Sequence, residues 1–147
     1  MITVVPAGEE HLDGWAMLRH RLWDELSPGE HRAEAEAQLA ETERLLNLVA
    51  LDGAIVVGFA EAALRHDYVN GCETSPVVFL EGIYVGEAAR GAGLALRLCD
   101  AVADWGRARG CTEFASDSLV DNLVSHAFHL AAGFAETERV VCFRREI

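Results

Sequence analysis

Residues 77–98 read VVFLEGIYVGEAARGAGLALRL, and the fold turns on how this stretch is read. Val77 to Val85 is almost wholly apolar, which predicts a strand buried on both faces at the centre of a sheet. Beyond the break, Leu94, Leu98, Ala101, Val102 and Trp105 share one helical face, and Gly110 supplies a C-terminal stop. Between strand and helix lie Arg90, Gly91 and Gly93. A strand that hands over through glycines to a helix start leaves backbone N–H groups free at the positive end of the helix dipole, which favours an anion. The dinucleotide-binding fingerprint fails, because Leu96 stands where its third small residue is required. The residues alone leave an ordinary turn and a phosphate cradle equally open.

Outward from this core the pattern reads β, α, α, β, β, β, α, β, α, β. Residues 2–6 predict a short strand, and Leu12, Trp15, Leu18 and Leu22 mark a helix within Glu9 to Leu26. Ser27, Pro28 and Gly29 interrupt, and the Ala, Glu, Gln and Leu content of Glu30 to Leu46 predicts a second helix. Asn47 to Leu51 and Ala54 to Arg65 are strand-like runs joined by Asp52-Gly53, a hairpin dipeptide. A polar loop spans Asp67 to Pro76. Cys111 to Ser116 predicts a strand, Asp121 to Ala132 a helix, and Phe134 to Arg145 a last strand or hairpin.

With 147 residues, 51% hydrophobic and 24% charged, the chain reads as one globular α/β domain over residues 1–147. The N-terminus MITVVPAGEEHL lacks the basic and apolar regions of a secretory signal, so a cytoplasmic location is expected. The best membrane-span candidate, Leu45 to Leu64, is interrupted by Asp52 and Glu61. Cys72, Cys99, Cys111 and Cys142 have neither paired nor zinc-like spacing, and are expected as buried free thiols with no metal. A formal net charge of -12 disfavours nucleic acid as a partner. Such an excess attracts polycations, although acidity serves solubility in many proteins. All 12 basic residues are arginine, which excludes a Walker A loop and a lysine nucleophile.

Glu81 is the lone charge in VVFLEGIYV. Buried there, its carboxyl would be pushed up toward the range of a general base, with a structural salt bridge as the competing reading. Gly82 beside it favours a site, because glycine in a strand interior marks a bulge or the close approach of other atoms. Asp117 ends CTEFASD, and Asn122 and His129 follow on a helical segment. His126 and His129 could face together, but no third ligand is signalled. Trp15, Trp23 and Tyr68 are aromatics outside the obvious strands, for which core packing is the default reading.

In combination these pieces resemble the GNAT superfamily of acyl-CoA-dependent N-acetyltransferases. Its pyrophosphate loop, Arg/Gln-x-x-Gly-x-Gly/Ala, is matched by Arg90, Gly93 and Ala95, and its later Asn-helix-Gly-Phe segment by Asn122 and Gly133-Phe134. Within it, LRHDYVNGCETSPVVFLEGIYV, ASD and GFAETERVV resemble the aminoglycoside 6'-N-acetyltransferases of bacterial resistance over essentially the whole chain. The resemblance implies a mixed, mostly antiparallel sheet flanked by helices, with acetyl-CoA in a wedge beside the central strand. Ile83, Tyr84 and Val85 would pair with pantetheine and the acetyl carbonyl, and Arg90, Gly91, Ala92, Gly93, Leu94 and Ala95 would hold the pyrophosphate. Asn122 would be a further coenzyme contact, and Trp23, Tyr68, Glu81, Asp117 and Glu138 would contact the aminoglycoside.

The implied reaction is direct attack of the 6'-amine on the thioester, without an acyl-enzyme and without a cysteine nucleophile. Glu81 would take the ammonium proton, and Asp117 and His129 complete the implied catalytic set. His129 stands where many members of the superfamily carry a tyrosine acid, so the thiolate is protonated by His129 or leaves unaided. Leu26 replaces a polar residue of some relatives, which points to a different substrate range. Relatives of this type also imply a homodimer. Two other readings are a GNAT enzyme for another small amine or polyamine, and a non-catalytic acetyl-CoA-binding module, in which Glu81 and Asp117 would have no purpose.

Overall fold

A computed structural model describes residues 1–147. The order is β1 (Ile2–Pro6), α1 (Leu12–Leu22), α2 (Pro28–Gln38), β2 (Leu45–Asp52), β3 (Ile55–Arg65), β4 (Val77–Val85), α3 (Leu94–Arg107), β5 (Phe114–Ser116) and α4 (Leu123–Ala131). The strands form one sheet in sequence order. The three pairings from β1 to β4 are antiparallel and β4 pairs with β5 in parallel, the mixed, mostly antiparallel sheet expected. A parallel neighbour requires a crossover, and α3 provides it.

The sheet is covered on both faces. α1 and α2 close one face over Trp15, Val49 and Phe59, all fully buried. On the other face α3 sets Leu94, Leu98 and Val102 against Ala60, Ala62, Val78 and Leu80. Each such apolar side chain contributes roughly 1.5–3 kcal/mol when fully buried. Gly106 lets α3 lie close on β4, since a side chain there would run into Val78.

The structure departs from the sequence pattern at specific places. The helix expected over Glu30 to Leu46 stops at Gln38, and Leu45 and Leu46 already belong to β2, paired with Ala63 and Ala62. Its start is fixed by a capping box, in which Ser27 accepts from the Glu30 N–H and Glu30 accepts from the Ser27 N–H. β4 is buried only from Val77 to Leu80, and β3, not β4, is the middle strand. Phe134 to Arg145 forms no strand. Residues 135–147 make no backbone hydrogen bond within the chain, and Val140, Val141, Phe143 and Ile147 stand exposed. The cysteines are all free, but only Cys99 and Cys111 are buried, with Cys72 half-buried and Cys142 exposed.

Candidate active site

Gly82 marks a β-bulge. In the β3–β4 ladder Ala62 pairs with Leu80 and Glu61 with Gly82, so Glu81 is an extra residue without a partner. The glycine is also a close approach, because a Cβ at Gly82 would collide with the Trp23 ring. Glu81 is not the buried acid the apolar strand suggested. It is exposed and accepts from Arg65 Nη2 at 2.8 Å, so the desolvation behind that expectation is absent.

The buried acid is Glu61, on the neighbouring strand. It accepts from Trp15 Nε1 at 3.0 Å and from Arg19, and Arg19 also donates to Glu34 at 2.7 Å. Arg19 Nε donates to His31 Nδ1 at 3.3 Å, which leaves His31 Nε2 to donate to the Trp23 carbonyl at 2.6 Å. Trp23 is held further by Phe59, with ring centroids 6.0 Å apart. The signal that could have found it is Glu61 as the one charge inside IVVGFAEAAL, with Arg19 beside the apolar stripe of α1.

Above this cluster a cleft of about 610 Å³ opens between the α1–α2 layer and the sheet. Trp23, Leu26, Glu34, Glu41, Glu61 and Glu81 line it. Glu41 is paired with Arg44, whereas Glu25, also on the wall, has no partner. A carboxylate-rich concavity with one aromatic wall suits a polyammonium ligand.

On the opposite side of the bulge β4 and β5 part. Their pairing ends at the Leu80–Ser116 rung, and β4 continues to Val85 with no partner on that edge. The expected thioester contacts Ile83, Tyr84 and Val85 therefore border an open gap. Below it Arg90 Nε donates to the Val85 carbonyl at 2.9 Å, and its guanidinium lies 5.4 Å from the Tyr84 ring centroid. Gly91 and Gly93 both adopt positive φ, and the space where a Cβ would stand is open at each. No backbone N–H from Gly91 to Leu96 donates within the chain, so six donors at the start of α3 are left without an internal partner. These free donors, the open strand edge and the arginine fit a pyrophosphate followed by an extended pantetheine arm.

The other expected residues are less closely gathered. Asp117 follows β5, exposed and without an ion pair. Tyr68 is exposed on a smaller pocket beside His66, Asp67 and Cys72. Glu138 lies exposed in the C-terminal segment, and nearby Thr137 packs against Gly71. Asn122 caps α4, accepting from the Ser125 N–H at 3.2 Å. His126 bonds the Leu119 carbonyl and His129 the Ser116 hydroxyl, so the two rings have separate partners.

The model of the Acetyltransferase (GNAT) family matches residues 15–134. The chain belongs to the GNAT acetyltransferase family. As a GNAT enzyme it is 50% identical over 145 residues to an aminoglycoside N(6')-acetyltransferase type 1 of Serratia marcescens, covering 98% of this chain and 99% of that one. A protein of the same name from Salmonella typhimurium is 45% identical over 135 residues, 92% of each chain. The apo crystal structure of the 6'-N-acetyltransferase AAC(6')-IG from Acinetobacter haemolyticus superposes with TM-score 0.93 at 45% identity, covering 99% of both chains. AAC(6')-Iy in complex with the bisubstrate analogue CoA-S-monomethyl-acetylneamine gives TM-score 0.92 at 41% identity, over 100% of this chain and 99% of that one.

Proposed function

We propose that this GNAT enzyme is an aminoglycoside 6'-N-acetyltransferase, transferring acetyl from acetyl-CoA to the 6'-amine and so conferring resistance. One observation carries the reading. The β4 bulge separates two complementary spaces, an acidic cleft over Trp23 and Glu81 and an open strand edge leading to the free N–H groups of residues 91–96.

In this reading the coenzyme arm lies along Ile83, Tyr84 and Val85, the pyrophosphate on Arg90, Gly91, Ala92, Gly93, Leu94 and Ala95, and Asn122 adds a contact. The aminoglycoside meets Trp23, Tyr68, Glu81, Asp117 and Glu138, with its ammonium groups toward the carboxylates. The 6'-amine attacks the thioester carbon directly. Glu81, exposed at the mouth of the cleft, accepts the proton the nitrogen sheds and passes it to solvent. The four thiols stay outside the chemistry; burial, with Asp100 second, pushes Cys99 up to about 11, where it is a poor nucleophile at neutral pH.

We further infer that residues 1–147 act as one domain, in a cytoplasmic homodimer. No helix is long and apolar enough to cross a membrane. The dimer is supported by apolar surface that one chain leaves bare, comprising Leu123 and Val124 of α4 with Val141, Phe143 and Ile147. The test is a mass-resolved acetylation assay with acetyl-CoA across aminoglycosides carrying a 6'-amine or a 6'-hydroxyl. A gain of one acetyl group in the amine set alone is expected. No product with kanamycin or tobramycin would overturn the substrate assignment, and turnover of other small polyamines instead would redirect it.

A further inference from the structure

Two side chains meet where β4 and β5 part. Ser116 is the last residue of β5 and sits on the final paired rung, opposite Leu80, so its hydroxyl stands at the start of the gap. His129, reaching across from α4, brings Nε2 within 2.9 Å of Ser116 Oγ. Its other nitrogen, Nδ1, lies 2.7 Å from the Ser125 carbonyl oxygen. The Ser125 hydroxyl is also near, 3.3 Å from Nδ1, but the closer carbonyl can only accept and so favours a hydrogen on Nδ1. In that tautomer the neutral ring accepts the Ser116 hydroxyl at Nε2, whereas the protonated ring donates there and leaves the hydroxyl hydrogen to the Leu80 carbonyl, 3.4 Å away. Phe134 and Phe128 hold the imidazole edge-on, at 5.2 and 5.4 Å between centroids.

We propose that Ser116 is a catalytic residue of the acetyl transfer, its hydroxyl handing a proton to the coenzyme sulfur as the thiolate leaves, with His129 the positioning residue that reloads it. The proposal rests on the acetyl-transfer reading above and deepens it. As the tetrahedral intermediate collapses the C–S bond breaks, and the sulfur takes the Ser116 proton. Ser116 Oγ takes the Nε2 proton of the protonated ring, leaving the neutral ring with hydrogen on Nδ1, the form the Ser125 carbonyl favours. The nitrogen has meanwhile lost one proton toward Glu81 and solvent, and solvent returns one to Nε2. The sum is amine plus thioester giving amide plus thiol. His129 thus need not touch the coenzyme, which is consistent with its ring being packed behind Ser116.

The test is single-turnover acetylation of kanamycin at saturating acetyl-CoA, with coenzyme affinity measured separately by calorimetry. Ser116→Ala is expected to slow the chemical step by about ten- to a hundredfold, below the usual range for a lost acid because thiols leave readily, with coenzyme Kd within about twofold. Ser116→Thr, which keeps the hydroxyl, restores most of the rate. His129→Gln, which can hold Ser116 but supplies no proton, loses about as much as Ser116→Ala, and the double variant loses little more. The solvent deuterium isotope effect on the wild-type step shrinks in both single variants. An undiminished rate in Ser116→Ala, or equal loss in Ser116→Thr, overturns the relay. If Ser116→Ala misfolds, Ser116→Thr and His129→Gln decide. Failure of the wild type to acetylate would instead overturn the activity, so the two failures are distinguishable.

Discussion

Glu61 and Glu81 lie side by side at the bulge, and their environments are the reverse of what a one-strand reading gives. The apolar neighbours of Glu81 along the chain say nothing of the cleft that opens over it, whereas Glu61 is covered by α1, whose Arg19 lies 42 residues away from it in sequence. Burial is a property of packed layers, so the sequence pointed to Glu81 and passed over Glu61. The trap is also energetic. Removing Glu61 leaves the buried Arg19 guanidinium with only the exposed Glu34 as counter-charge and orphans the Trp15 indole N–H, and Glu61→Ala should cost about 3 kcal/mol in urea unfolding. Joint replacement by apolar residues, Arg19→Met with Glu61→Leu, should recover only part of that loss, because the Trp15 N–H and His31 Nδ1 stay unpaired. Cys99 gives a second prediction at this scale. Burial raises its thiol from 9.0 to about 11, so between those values the folded chain still holds a proton that the unfolded chain has released. Stability from this site is complete below pH 9.0 and falls as pH rises toward 11, by on the order of 2–3 kcal/mol. Cys99→Val should flatten that part of the stability-against-pH curve.

Single elements were legible where their signal is local. The Asp52-Gly53 hairpin, β4 and α3 follow directly from turn chemistry and periodicity, and β4 has the bounds its apolar run predicts. α2 does not, because Leu45 and Leu46 suit a helix or a strand, and only pairing with β3 selects the strand. α4 shows how an element's role bears on a site residue. Asn122 was expected on the coenzyme, yet here it caps the helix that carries His129. The two roles separate by substitution. Asn122→Ala loses the cap, worth about 1 kcal/mol, while Asn122→Ser and Asn122→Asp keep it. If capping is its whole role, Ser and Asp hold wild-type KM for acetyl-CoA and only Ala lowers Tm. If the amide also contacts the coenzyme, as proposed, Ser and Asp raise that KM with Tm preserved.

At the scale of the molecule, the missing last strand connects sequence and assembly. Phe134 to Arg145 has strand-like composition, which is why a strand is read there, but within the chain it pairs with no strand. Free N–H and C=O groups run from residue 135 to 147 beside exposed Val141 and Phe143, while β5 keeps an unpaired outer edge and α4 exposes Leu123 and Val124. In the proposed homodimer the tail of one copy would pair with an open edge of the other, by strand addition or exchange, and cover what one copy leaves bare. Glu138 sits in the same tail, so its proposed contact with the aminoglycoside depends on where the tail docks. Phe143→Asp and Val141→Asp should therefore convert a dimer to a monomer by light scattering. They should raise aminoglycoside KM several-fold through lost placement of Glu138, with coenzyme Kd unchanged because Arg90 to Ala95 lie on another element. A wild-type chain that scatters as a monomer at micromolar concentration would refute the assembly. A monomeric variant with unaltered KM would leave the dimer standing and remove Glu138 from the substrate site.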